Sequence, residues 1–295
     1  MFFFVTTLRH PNNAKDYQRV LDLLSLTIES VCSQQTSVPY KFLIVCNEKP
    51  QISAYINKVI FHIVDFPPPG LGKANQLSFG SFLIDKGIKI AAGLLFLKRY
   101  SPSKIFIIDA DDWVHNKIVD HVAANPNTDF WYADGGYLVN LGDKKSIRKH
   151  GLCRYCGSTF IYDYKKLIEM ISFNNQLNEN SFKEEMIAGI EEFPLLNILG
   201  NHRYQLAYIR KFGWQFKPIP FNAICWVVNT GENHSGKTGG QQGLPLKLSL
   251  LSQFGITSIF SSEEKVTIAS YISEITEKLK SYLGWLVTDK TKTKV

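Results

Sequence analysis

The sequence lacks most of what would mark a disulfide-stapled or membrane-spanning chain. It has five cysteines in 295 residues, an odd number in a long chain, so no disulfide framework is expected. Cys153 and Cys156 form one C-x-x-C, but no second pair completes the roughly four ligands of a structural zinc site. The pair also does not open a helix near the first strand, as a thioredoxin-like motif would. Packing or free thiols is the reading. No segment reaches the ~18 uninterrupted apolar residues of a membrane span. The opening MFFFVTTLRHP has no basic stretch ahead of its apolar run and no small-residue cleavage site, so it reads as a buried strand rather than a signal peptide. A cytoplasmic location is the expectation. There is no internal repeat and no low-complexity linker. No basic stripe with interleaved aromatics is present either, so a nucleic acid is not an expected partner.

What is present argues for a large core and an anionic ligand. Apolar residues make up 45% of the chain and aromatics 13%, which excludes disorder. A formal net charge of +7 suits a nucleotide or an acidic membrane surface, and equally a solvated basic face. Residues 2–7, 41–46, 60–64 and 104–108 are apolar runs that predict buried strands. Helical spacing over 15–32 and 82–99 separates them. Alternating strands and helices predict a Rossmann-like α/β fold with a mostly parallel sheet flanked by helices. Beyond it, strands are predicted at 129–132, 137–140, 158–162 and 223–229, and helices at 116–124, 163–172, 181–192 and 202–212. A last helix is expected over 263–286, with Ile268, Ile272, Ile275, Leu279, Tyr282, Leu283 and Leu286 at helical spacing among Lys265, Lys278 and Lys280. A basic amphipathic helix of this kind lies on a membrane surface or completes a core. The expected organisation is a catalytic unit over 1–245, divided at 112 into a nucleotide half and an acceptor half, and a helical C-terminal extension over 246–295 with a basic tail.

Two motifs carry chemistry. The first is Asp109-Ala-Asp-Asp112, directly behind the strand at 104–108. In parallel sheets ligands sit at the carboxyl ends of strands. Three carboxylates in four residues repel one another, and a hard divalent cation offsets that repulsion. Asp109 and Asp111, at i and i+2, share one side of an extended chain. The plainer reading is an acidic turn that caps the following helix. The second motif is GENHSGKT, Gly231–Thr238, which fits the P-loop pattern G-x-x-x-x-G-K-[ST]. A strand, AICWVVNT, precedes it. The chain then runs on into GGQQGLP, and Gly and Pro oppose the phosphate-capping helix a P-loop needs.

The order of parts resembles GT-A-fold glycosyltransferases, near the family 2-like inverting, nucleotide-sugar-dependent enzymes. The carrying segments are VTTLRHP at 5–11, FLIVCNE at 42–48, DKGIKIAAGLLFLK at 85–98, FIIDADDW at 106–113, CGSTFIYD at 156–163, GNHRYQLAYIRKFGWQFKPIP at 200–220 and NHSG at 233–236. The resemblance implies transfer of a sugar from a nucleotide-diphosphate donor to a glycan or lipid-linked acceptor, with Mn²⁺ or Mg²⁺ on the Asp-x-Asp motif. It implies Asp111 as direct metal ligand, Asp109 on the ribose or a metal-bound water, Asp112 as a supporting carboxylate, and His234 as a third ligand. Thr6, Arg9, Asn47, Glu48, Lys86 and Lys89 fall where donor contacts lie, and Lys237 where a lid would meet the diphosphate. Trp113, Gly157 and Ser158 fall on the acceptor side. The acidic pair that supplies the family's general base is replaced here by Asn201 and His202. His202, with an ordinary pKa near ~6.5, takes that role, with Glu191 and Glu192 as fallbacks. The replacement leaves inverting and retaining courses open, and keeps a non-catalytic sugar-nucleotide- or glycan-binding module as an alternative.

Overall fold

The computed structural model describes residues 1–52, 54–70, 79–202, 204–232, 243–258 and 279. The expected helix over 263–286, apart from Leu279, lies outside these residues. Strand β1 (Phe2–Thr7) pairs in parallel with β2 (Tyr40–Cys46) on one side and β4 (Lys104–Ile107) on the other, and β2 pairs in parallel with β3 (Val59–Ile63). The central sheet runs β10-β6-β9-β4-β1-β2-β3, with β6 at Phe130–Tyr132, β9 at Phe160–Asp163 and β10 at Phe216–Pro218. Only β9 runs against the rest, antiparallel to both β4 and β6. The architecture is therefore the expected α/β arrangement, a mostly parallel sheet with helices on its faces.

The reason is visible in β1. A strand sends successive side chains to opposite faces, and here both faces are covered. Phe2 and Phe4 join Phe42 and Ile44 of β2 in one core with Leu24, Ile28 and Val31 of α1 (Tyr17–Cys32). Phe3 and Val5 join Leu43 and Val45 in a second core with Ile88, Ala91 and Ala92 of α2 (Phe79–Leu97). Strands buried on both faces read as unbroken apolar runs, as parallel strands do. Asp16 caps α1 by accepting the Arg19 N–H at 3.1 Å.

A smaller sheet, ordered β12-β8-β7-β11-β5, lies in the second half of the chain. Its strands are β5 (Trp113–Val114), β7 (Gly136–Asn140), β8 (Lys145–Lys149), β11 (Ile224–Val228) and β12 (Leu244–Pro245). Trp113, Val139, Cys225 and Val227 pack there on Leu246, Leu250, Leu251 and Phe254, four residues in and around α8 (Leu248–Gln253). Packing thus runs through the expected boundary at 245, because residues 246–256 complete a core begun at Trp113.

The remaining helices are α3 (Ile118–Ala123), α4 (Tyr164–Ile171), α5 (Lys183–Ala188), the single turn α6 (Glu192–Pro194) and α7 (Gln205–Lys211), with a π-helical turn over Leu195–Leu199. The helix expected over 181–192 stops at Gly189, whose N–H closes on the Glu185 carbonyl at 2.8 Å. All five cysteines are buried free thiols. Among the described residues no helix is long and apolar enough to cross a membrane.

Candidate active site

Where β4 ends, the chain leaves the sheet through Ile108 and turns over Asp109–Asp112, the Asp112 N–H closing on the Asp109 carbonyl at 3.2 Å. A cavity of about 460 Å³ opens over this turn. Its wall takes Thr7, Leu8 and Arg9 from the end of β1 and Asp85 and Lys86 from α2. Asp109, Ala110 and Asp111 form its floor, and Arg154, Tyr155 and Gly157 come from the approach to β9. Gly200, Asn201 and His202 follow the π-helical turn, and Trp226 and Glu232 come from β11 and the segment behind it.

The acidic turn is divided between two tasks. Asp109 pairs with Lys86 Nζ. Burial favours its neutral form, but Lys86, and then His202, overcome that and hold the carboxyl below its usual range. Lys86 is raised in return: burial opposes its charge and Asp109 more than restores it. The Asp111 carboxyl is pushed up to about 7, first by burial and then by the charge of Asp109. Asp112 does not face the cavity. Its Oδ1 accepts the Val227 N–H at 2.9 Å, and its Oδ2 accepts the Ser158 hydroxyl at 2.5 Å and the Cys156 thiol at 3.2 Å. Burial, then Asp111 and Asp109, push its carboxyl well above the ordinary range. Asp112 is thus a fastener between β4, the approach to β9, and β11, and not the supporting metal carboxylate expected.

Other expectations are corrected in the same way. Thr6 is buried under the strand pleat, and its neighbour Thr7 reaches the cavity instead. Asn47 spends its amide on the Val64 and Phe66 carbonyls, at 3.2 and 2.8 Å, and the exposed Glu48 lies off the wall. Lys89 is fully buried, ion-paired with Asp85 at 2.9 Å and donating to the Leu8 carbonyl at 3.0 Å. Ser158 is buried between Asp112 and the Asp109 N–H, which it accepts at 2.7 Å. Trp113 is 1% exposed in the core of the smaller sheet and offers no face to a sugar. Among the described residues the most exposed aromatic on the wall is Tyr155.

Arg9, Lys86, Asp109, Asp111, Gly157 and His202 do come together on the cavity. Gly157 is there for want of room: a Cβ would stand 2.8 Å from Asp109 Oδ2 and 3.3 Å from Lys86 Nζ. Glu191 and Glu192 are exposed around α6 and line none of it. His234 and Lys237 lie outside the described residues.

Arg154, Asp85 and Glu232 do not stand out in the sequence. Arg154 lies two residues ahead of the Cys156–Asp163 segment, and Glu232 sits inside the P-loop-like stretch. Glu232 anchors Arg9 through its carboxylate and its carbonyl, the latter at 2.7 Å, and also accepts the Asp16 N–H at 2.9 Å. The strand ahead of that stretch, β11, belongs to the smaller sheet, between β7 and β5. A P-loop strand belongs to the main parallel sheet, so the NTPase reading loses its structural context.

The donor set suits a hard cation. Asp111 and Asp109 line one cavity, and the Asp111 carboxyl is raised by burial and by the charge of Asp109 beside it. Mg²⁺-type sites use one or two carboxylates and fill the rest with water and phosphate oxygens. Among the described residues no cluster of three or more His, Cys, Asp or Glu side chains forms a closed metal cage.

No protein-family model matches the chain, and no curated protein does. Among solved structures, it is similar to S. aureus TarS in complex with UDP-GlcNAc, at 12% identity over 82% of this chain and 63% of that one, with a TM-score of 0.42. A synthase of 4-diphosphocytidyl-2C-methyl-D-erythritol from Anaerococcus prevotii shows 8% identity over 86% and 94% of the two chains, with a TM-score of 0.40. The glycosyltransferase GlyE of Streptococcus pneumoniae shows 12% identity over 74% and 45%, with a TM-score of 0.34. The chain spans 60% and 63% of the length of two of the TarS chains. Likeness at this level carries no functional inference.

Proposed function

We propose that the chain is a glycosyltransferase that moves a sugar from a nucleotide-diphosphate donor to a hydroxyl of a glycan or lipid-linked glycan. The observation that supports this best is the pairing of Asp109 and Asp111 at the carboxyl end of β4, on a cavity that also holds Arg9, Lys86 and Arg154. A parallel sheet presents ligands at these strand ends, and cations beside an acidic turn suit a diphosphate held with a divalent ion.

Asp111, with Asp109, would hold Mn²⁺ or Mg²⁺. Such an ion supplies Lewis-acid neutralisation of the departing nucleotide diphosphate. The chain's own residues do the rest. Lys86 keeps Asp109 ionised and fixed in direction. Arg154 adds positive charge to the wall where the leaving group would sit. Gly157 leaves the space beside Asp109 open to the sugar. His202, on the same wall, is the group suited to take the acceptor hydroxyl's proton, which makes an inverting course the natural one. Tyr155 offers the ring on which an acceptor sugar would stack.

The test is a panel of nucleotide sugars and ATP, with thermal shift and donor hydrolysis measured with and without Mn²⁺ on wild type and Asp111→Ala. Stabilisation by one nucleotide-sugar class, dependent on Mn²⁺ and on Asp111, is expected. Stabilisation by ATP alone, with ATP hydrolysis, would overturn the reading. For His202→Ala, transfer is expected to fall about 100-fold or more with donor affinity kept, the range of a lost general base. Donor binding without transfer by the wild type to any acceptor pool would leave a binding module instead.

A further inference from the structure

We infer that Asp85 reads the base of the nucleotide and selects one with a ring N–H on its pairing edge: uracil, thymine or guanine, against cytosine and adenine. The inference rests on the nucleotide-donor reading above. Asp85 is 5% exposed and stands on the cavity wall, in the first half of α2. Its Oδ2 accepts Lys89 Nζ at 2.9 Å. Its Oδ1 is buried and, among the described residues, meets no donor. Buried acceptors in folded proteins are almost always matched, and one left open beside a cavity calls for a donor from a ligand.

Lys89 sets where that donor must be. It is fully buried, and it also donates to the Leu8 carbonyl at 3.0 Å, so it holds the Asp85 carboxylate against the carboxyl end of β1. Successive helix residues diverge by about 100°. Lys86 therefore turns to Asp109 at the end of β4, while Asp85 turns with Lys89 to β1, one strand along the sheet. The phosphates belong with the acidic turn, and the nucleoside extends from it along these strand ends. On that path the residues behind β2 stay off the cavity: Asn47 points its NH2 at two backbone carbonyls, and neither it nor Glu48 stands on the wall.

An ionised carboxylate only accepts hydrogen bonds. It matches the N3–H of uracil or thymine and the N1–H of guanine. It opposes cytosine N3 and adenine N1, which are themselves acceptors, so these bases can reach it only through the exocyclic N4 or N6 amino group, with that repelling ring nitrogen alongside. With Oδ2 held by Lys89, a single contact through Oδ1 remains, and one ring N–H fills it. A charge-assisted hydrogen bond of this kind is worth about 10- to 100-fold in affinity.

Calorimetric titration of the full chain with UDP, dTDP, GDP, CDP and ADP in the presence of Mn²⁺ tests this. At least one of UDP, dTDP and GDP should bind about tenfold or more tighter than CDP and ADP. Comparison among the three identifies the base. The N-methylated form of the best binder, N3-methyl-UDP, N3-methyl-dTDP or N1-methyl-GDP, should lose that advantage; this arm needs no variant. The double variant Asp85→Asn/Lys89→Met removes the buried charges together and should let CDP bind within about threefold of the best binder. Equal binding of all five would overturn the role of Asp85 while leaving the donor reading standing, as would an N-methylated base that binds undiminished. Binding of none would overturn both.

Discussion

Asp112 gives the sharpest separation between a ligand and a fastener, because the same turn carries both. Asp112→Ala removes one acceptor pair and strands three donors: the Val227 N–H, the Ser158 hydroxyl and the Cys156 thiol. The thiol is a weak donor, so two losses dominate. Each buried donor left unmatched costs about 1–3 kcal/mol. The two together give a net loss of about 3 kcal/mol. Asp112→Asn should cost only about 1 kcal/mol, because its amide mimics the neutral acid that the raised carboxyl favours. Asp111→Ala should cost nothing, and should raise stability at pH 8, where the carboxylate it removes is ionised against its surroundings. For a chain of this size, ~3 kcal/mol corresponds to a drop in Tm of roughly 6–12 °C. Urea unfolding of the three variants, with Mn²⁺ titrations of each, gives both readouts. The expected order of destabilisation is Asp112→Ala, Asp112→Asn, Asp111→Ala, and Mn²⁺ affinity should fall most for Asp111→Ala. An Asp112→Ala protein of wild-type stability that no longer binds Mn²⁺ would refute the division of labour.

Two further outcomes concern groups outside the acidic turn. His115 lies against Phe221 and Phe254, with ring centroids at 4.9 and 5.5 Å, and accepts the Lys117 N–H through Nδ1 at 3.2 Å. Burial, then Lys117, push its pKa down to about 4, so between roughly pH 6.5 and 4 the unfolded chain binds the extra proton and stability is lost as pH falls. Asp111 contributes the opposite slope in an overlapping window, so the quantity to compare is wild type against His115→Phe: the variant's urea midpoint should fall less between pH 7 and 4, and an identical fall would count against the assignment. Gly200 is a close-approach glycine, where a Cβ would stand 2.4 Å from the Leu83 carbonyl oxygen. Gly200→Ala should cost about 1–3 kcal/mol by forcing the π-helical turn off α2, and should reduce transfer more than donor binding, since Asn201 and His202 move with it; unchanged transfer kinetics would argue that His202 stands apart from the reaction.

The half of the molecule that was legible in sequence is the half whose partners are local or periodic. β1, β2 and β4 announce themselves as apolar runs because both sheet faces are covered, and Asp109 and Asp111 announce the strand end they follow. Arg9, Lys86, Gly157 and His202 were reached through the order of segments, and they meet in one cavity. The misreadings have a common physical cause. Whether a side chain beside a motif points into the cavity or into the core is decided by a partner far along the chain. Asp112 turns inward to meet Val227, 115 residues later, and no local pattern encodes that. Trp113 turns inward with it, onto the core completed by α8. Lys89 reads as a donor contact until Asp85 and the Leu8 carbonyl are placed around it. Glu232 was hidden by its setting, a stretch read for its glycines and lysine rather than for the carboxylate that holds Arg9.

The long-range fastening of the acidic turn also bears on when the site comes into existence as the chain is made. Strands β1 to β4 are complete by residue 107 and can pair early. The innermost carboxylate of the turn behind β4 lacks its backbone donor until Val227 has been synthesised, and Arg9 has no anchor until Glu232 is added, 223 residues after it. A nascent chain therefore carries the first paired strands with an unassembled centre for about two-fifths of its synthesis, at ~5–20 residues per second. The cavity is complete only once the smaller sheet has closed over the turn.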